Sequence, residues 1–192
     1  MESYFEIDDS DSTFIPLAKN VVNLINRYPL SHELSRQALK SVLKINQEDD
    51  IKYNHLLLFI IGEQDTTIPL HIDGSNLMET GIIILRYNQD IWKMFGILIF
   101  ELLNIKNFDL NKERKIISIL GNKKGSKTVR EEKFATLMEH IECQSVKGHH
   151  EIMAQGIKEY GWPSYLDTAK KIENKVCQAK ETPHKQAYRN LL

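Results

Sequence analysis

Residues 81–104, GIIILRYNQDIWKMFGILIFELLN, constrain this chain more than any other stretch. The aliphatic run 82–87 reads as a strand, and Asn88-Gln89-Asp90 as a polar turn. The segment that follows, 90–106, is apolar on nearly every side: Met94, Phe95, Ile97, Leu98, Ile99, Phe100, Leu102 and Leu103. A helix that is apolar all round belongs in the middle of a fold. The sequence sets one carboxylate into it, Glu101, with Met94, Ile97, Leu98, Ile105 and Phe108 as helical neighbours. A buried carboxylate must be paired, hydrogen-bonded or protonated, because an uncompensated buried charge is very costly. Lys93, Arg130 or a backbone donor could satisfy it as a purely structural group. Perturbed carboxylates in clefts are also often functional, so both readings stand.

The remainder falls into helices around a small sheet. Phe14, Leu17, Val21, Leu24, Ile25 and Tyr28 recur at helical spacing, with Ser12 or Thr13 as the cap and Pro16 in the first turn. Pro29 closes that helix, and Ser31 caps the next, which buries Leu34, Ala38, Leu39, Val42 and Ile45. Residues 55–61 (HLLLFII) read as a central strand buried on both faces. Residues 67–72 (TIPLHI) alternate but contain Pro69, which suits an edge strand. The short connections between these runs and 82–87 favour antiparallel pairing. Residues 110–120 read as a helix. Thr128-Val129-Arg130-Glu131 is a capping box that opens a helix running to Val146. Gly148 breaks that helix, 150–160 forms another, and Ser164 caps a last one over 165–179. The expected fold class is α+β. One mostly helical domain spans 13–180, packed round a three-stranded antiparallel sheet. It lies between an acidic N-terminal segment, 1–12, and a polar C-terminal tail, 181–192.

At 192 residues the chain can bury one sizeable core. Its formal net charge of −1 gives no reason to expect nucleic acid or an acidic membrane as partner. No apolar run approaches the roughly 20 residues of a membrane span. The start, MESYFEIDDSDS, is acidic where a signal peptide is basic and then apolar. Two cysteines, Cys143 and Cys177, are too few for a disulfide framework. They suit a reducing compartment, either bacterial cytoplasm or the inside of a target cell.

Three further groups could carry chemistry. Glu132, Ala135, Glu139 and Glu142 are spaced by three and four along the helix opened at Thr128, and so share a flank. Like charges so placed repel unless solvent, a basic partner or a cation offsets them; a solvated face is one reading, a meeting with Glu101 across a helix contact the other. His140 precedes Cys143 by three residues and could help form a thiolate, although a lone helical cysteine is usually an inert small hydrophobe. His71 stands at the end of the expected edge strand, where a histidine can move protons near neutral pH or simply face solvent.

In its order of elements the chain resembles zincin metallopeptidases of the gluzincin type. In those, a strand precedes the helix carrying H-E-x-x-H, and a later helix supplies a glutamate as third zinc ligand. The matching segments here are 82–87, then Phe100-Glu101-Leu102-Leu103-Asn104, then Glu131-Glu132-Lys133-Phe134-Ala135. The resemblance covers about residues 81 to 142 and places Glu101 at the general base and Glu132 in the third-ligand region. Both imidazole positions depart from it. Phe100 offers a metal no lone pair, Asn104 only a weak carbonyl oxygen, and zinc is gripped from one helix face by a histidine pair. The resemblance thus implies the scaffold and its cleft, without catalytic zinc and without a cofactor.

The reading that follows is a bacterial effector or toxin-type domain acting through protein binding, with Glu132, Glu139, Glu142 and Asn104 as binding residues. It would work in the cytoplasm or after delivery into a host or target cell. An enzyme using Glu101 with His71, His140 or Cys143 as acid, base or nucleophile is the second reading. A plain immunity or adaptor protein is the third.

Overall fold

The computed structural model describes residues 3–8, 12–46, 54–70, 73–121 and 127–163. Their elements run β1 (Phe5–Ile7), α1 (Ile15–Arg27), α2 (Pro29–Ile45), β2 (Leu56–Ile61), β3 (Gly74–Leu77), β4 (Ile82–Arg86), α3 (Ile91–Asn107), α4 (Leu110–Gly121) and α5 (Lys127–Tyr160). The class is α+β, with five helices and one sheet among the described residues.

The first two helices meet at a corner that the sequence reading placed correctly and explained wrongly. Tyr28 is extended (φ −109°, ψ 128°), as the residue before a proline prefers, and this ends α1. Pro29 then opens α2, where its missing N–H is no loss. Ser31 therefore sits inside the first turn of α2 and is not its cap. Its hydroxyl donates to the Ile25 carbonyl (2.7 Å), which Pro29 has no N–H to meet, and to the Tyr28 carbonyl (3.2 Å), which also accepts the His32 N–H. Neither Ser12 nor Thr13 caps α1: Phe14 holds that position, with no side-chain cap bond.

The sheet has four strands in the order β1-β2-β4-β3, not three antiparallel ones. β1 pairs with β2, and β2 with β4, in parallel; only β3 and β4 are antiparallel. The missed strand is β1, only three residues long. The misplaced strand is 67–72, whose described part, through Leu70, is not extended sheet. Arg86 explains why. Its guanidinium, 6% exposed, donates to the carbonyls of Gly62, Glu63, Asp65, Ile68 and Pro69 and winds this segment round itself. The true edge strand is the polar Gly74-Ser75-Asn76-Leu77. Gly81, at φ +71°, turns the chain from it into β4, a left-handed backbone that favours glycine.

One face of the sheet carries Phe5, Leu56, Leu58, Ile60, Ile83 and Leu85, all buried against the helices. On the other face, Leu57, Phe59, Ile61, Ile82 and Ile84 are half-buried, so β2 is central but not equally covered on both sides. α3 runs through the middle. Every residue from Met94 to Ile105 is buried, and the helix packs against α1, α2, α5, β3 and β4. α5 is one helix of 34 residues, where the sequence reading broke it at Gly148. That glycine marks a close approach: a Cβ on it would lie 3.0 Å from Leu103 Cδ2 of α3. Glycine disfavours a helix by only about 1 kcal/mol, so packing decides. α5 ends at Gly161 (φ +69°), whose N–H donates to the Ile157 carbonyl, and Trp162 folds back over Gly156. The expected helix 165–179 and tail 181–192 lie outside the described residues.

Candidate functional site

The site is built on α3. Asp90 starts this helix by accepting hydrogen bonds from the N–H groups of Trp92 (2.9 Å) and Lys93 (3.4 Å). Three turns on, Glu101 is 5% exposed. Strand β3 passes beside it. Gly74 is in register with Leu85 and Asn76 with Ile83, the two β4 residues fully buried on the helix side, so these two positions of β3 face α3. Gly74 makes room: a Cβ there would stand 2.5 Å from Ile97 Cγ2 and 3.0 Å from Glu101 Oε1.

Two amides hold the carboxylate. Asn76 Nδ2 donates to Glu101 Oε2 at 2.5 Å, and Asn104 Nδ2 donates to the same oxygen at 3.3 Å. Lys93, a partner the sequence allowed, instead pairs with Asp73 at 3.4 Å. From α5, Glu142 comes close enough to oppose ionisation of Glu101. Burial, chiefly, and Glu142 raise the Glu101 carboxyl to about 7, against the opposite pull of the two amides. The amide oxygens Asn76 Oδ1 and Asn104 Oδ1 are buried and meet no donor among the described residues.

The α3–α5 contact carries a wider polar seam that the sequence reading did not assemble. His149 is fully buried, and its Nε2–H donates to the Gly96 carbonyl at 3.0 Å. The ring stands edge-on to Phe100, with centroids 6.3 Å apart. Burial, aided by His150, lowers its pKa to about 4 despite the Gly96 carbonyl. Ser145 donates to Ile141 O and accepts from Asn107 Nδ2, both at 3.0 Å. The signal was present in the spacing: Glu142, Ser145 and His149 stand three and four residues apart on one helix face.

The other candidates do not gather here. The acidic stripe splits because Glu132 and Glu142, ten residues apart, point about 80° apart round a helix of 3.6 residues per turn. Glu132 and His140 instead line an open groove of about 830 Å³ between α4 and α5, with Arg114, Lys115, Lys133 and Leu137. Glu139 is half-buried between these two directions. Cys143 is disulfide-bonded, which corrects its reading as a free thiol nucleophile. His71 lies outside the described residues. Of the sequence candidates, then, the structure brings together Glu101 and Asn104 and adds Asn76, with Glu142 bearing on Glu101 through its charge. Among the described residues no three His, Cys, Asp or Glu side chains form a group that could hold a metal ion, and no helix is long and apolar enough to cross a membrane. No family model, curated protein or solved structure matches the chain.

Proposed function

We propose that the chain is a zincin-like scaffold without catalytic zinc, used by a bacterium as an effector or toxin-type domain that binds a stretch of another protein. The observation that carries this reading is the buried Glu101 of α3, reached directly from β4 and held by Asn76 of the edge strand β3. β4 leads into α3, and α5 brings up a glutamate, which is the order of the family the sequence resembles. On α5, the charge of Glu142 opposes ionisation of Glu101, while Glu132, the motif match, lines the α4–α5 groove. Phe100 and Asn104 occupy the two imidazole positions, and neither replaces an imidazole on zinc.

Strand β3 supplies the binding surface. Arg86 N–H donates to Asp73 O at 2.8 Å, which fixes Asp73/Arg86 as a bonded pair. Bonded and non-bonded pairs alternate in an antiparallel ladder, so Gly74 and Asn76 turn their N–H and C=O outward. No strand among the described residues lies beyond that edge. An extended segment of a partner could pair there by main-chain bonds, on the strand whose Asn76 holds Glu101. Two measurements test the reading. Elemental analysis should find no stoichiometric zinc; one tightly bound zinc per chain would overturn it. Peptides selected from a random library on the intact chain should slow hydrogen exchange at the Gly74 and Asn76 amides; protection confined to other surfaces would overturn the edge-pairing mode.

An acid–base enzyme is a second reading, favoured by one observation: the Glu101 carboxyl, raised to about 7, can give or take a proton near neutral pH. His140 in its groove and Cys143 in its disulfide lend that reading no second group at Glu101.

A further inference from the structure

We propose that the open groove between α4 and α5 is the docking site of this chain's own residues 178–192, delivered there by a disulfide between Cys143 and Cys177 and released when that bond is reduced. The groove is bare on its outer side. α4 packs on α5, yet none of its described side chains is buried. Ile119, Val129 and Leu137 line the groove; Val129 is 45% exposed, and Ile117, also on α4, is 61% exposed. Apolar surface gathered in this way marks a place where another segment packs.

The disulfide names the segment. Cys143 is bonded, and Cys177 is the other cysteine of the chain. Cys143 follows Thr136 by seven residues, so it lies about 20° from it round α5, on the flank that lines the groove. From Tyr160 back to Cys143 the helix measures about 26 Å. The 14 residues from 163 to 177 cover about 21 Å as a helix and up to about 48 Å extended, so their path to Cys143 runs back along α5. The same heading carries 178–192 over His140, Leu137 and Val129. Tyr188, Leu191 and Leu192 are the large apolar residues of that segment, at i, i+3 and i+4, and one helical turn presents all three together.

Charge explains why the bond is needed. Lys180, Lys185 and Arg189 outnumber Glu181 in the segment, and Arg114, Lys115 and Lys133 outnumber Glu132 in the groove. Like charges oppose the docking that the apolar residues favour. The tether tips the balance by holding the segment beside the groove at an effective concentration on the order of millimolar. A dithiol reverses this. It supplies two electrons and two protons, becomes a cyclic disulfide itself, and leaves Cys143 and Cys177 as thiols. The segment is then free to leave, and the basic, apolar groove is open to other partners.

Peptide mapping and hydrogen exchange on the full chain, equilibrated with oxidised glutathione, test this. Digestion without reductant should give one crosslinked pair, Cys143 with Cys177. The α4 amides over 114–119 should exchange roughly tenfold faster or more in wild type treated with dithiothreitol, and equally in Leu191→Asp/Leu192→Asp, which keeps the bond. Amides of β2 and α3 should hold their rates in both. The proposal needs both accelerations, and needs them local to α4. Reduction acting alone would mean that the bond stiffens α5 with no segment in the groove. The variant acting alone would mean that docking needs no tether. Acceleration spread equally over β2 and α3 would mean general loosening. Each of these overturns the proposal, as do two free thiols under oxidising conditions or a Cys143 bond to a second chain.

Discussion

Strand β4 and helix α3 each bury one ionisable side chain, and the fold treats the two differently. Arg86 ends β4 at 6% exposure; Glu101 sits in α3 at 5%. Arg86 donates Nη1 to Gly62 O (3.1 Å), Glu63 O (2.8 Å) and Asp65 O (2.9 Å), and Nη2 to Ile68 O (2.9 Å) and Pro69 O (3.3 Å). A planar guanidinium with five donors suits such a ring of carbonyls. Glu101 receives both of its amide bonds on one oxygen, and the charge of Glu142 opposes its ionisation. A buried charge with its partners in place organises the chain around it. One left short of them is where a proton, an ion or a partner can act.

The largest expected effect follows from breaking the first case. Arg86→Met removes the donor for five carbonyls and should destabilise the protein by on the order of 4 kcal/mol, the range of broken buried networks. Urea unfolding measures the loss, and limited proteolysis should locate new cleavage within 62–70. A loss under about 1 kcal/mol with that segment still resistant would show that the loop holds itself, and the contrast with Glu101 would fail.

Arg86 also marks where the sequence stopped being legible. The apolar runs behind β2, β4 and α3 were readable because aliphatic periodicity is a local signal. Burial of Glu101 followed from its neighbours in the helix. The segment 67–72 misled because Thr, Ile, Leu and His alternate as a strand does, while its backbone follows bonds to a residue about twenty positions later. β3 was invisible for the opposite reason: Gly-Ser-Asn-Leu has little strand character, and its pairing with β4 decides its form. Asn76 thereby escaped notice as a partner of Glu101. Gly148 was read as a break because propensity speaks within one helix, whereas its use depends on Leu103 of another. Contacts between distant segments were the missing knowledge in each case.

The second effect belongs to the unmet charge, and to His149 at the far end of the same seam. Glu101 goes from 4.5 to about 7 on folding, so the native state holds its proton more tightly than the unfolded chain. Stability should therefore fall as pH rises from about 4.5 to 7, then level off, with a total on the order of 3 kcal/mol. His149 goes from 6.5 to about 4, so it is the unfolded chain that takes up the proton first. Its contribution is full above about 6.5 and is lost as pH falls towards 4, again on the order of 3 kcal/mol. Between about 4.5 and 6.5 the two slopes oppose each other. Wild-type stability should be nearly flat there, which would hide both groups from a simple pH scan. Glu101→Gln in metal-free buffer separates them. It should raise stability above pH 7 and leave a profile that climbs from pH 4 to 6.5. Denaturant midpoints at each pH measure this, and a variant less stable than wild type at pH 8 would mean that the amides already satisfy the charge.

The smallest effect sharpens the comparison by adding a carboxylate at the start of the same helix. Asp90 accepts the N–H groups of Trp92 and Lys93, the unpaired donors at the positive end of the helix dipole. Asp90→Ala should cost about 1 kcal/mol, and Asp90→Asn less, since an asparagine oxygen also caps. Thermal unfolding at pH 8 compares these directly with Glu101→Gln. The expected signs are opposite: loss at Asp90, gain at Glu101. Both are carboxylates on α3, so charge type cannot be the cause. One sits where backbone donors lack acceptors, the other where the helix has satisfied its own backbone and only side chains can answer. If removing either carboxylate lowers stability at pH 8, Glu101 is held as firmly as Asp90 and belongs with Arg86 as part of the scaffold. If the signs differ, α3 keeps Glu101 at a cost to its own stability, which is the mark of a residue retained for what it binds.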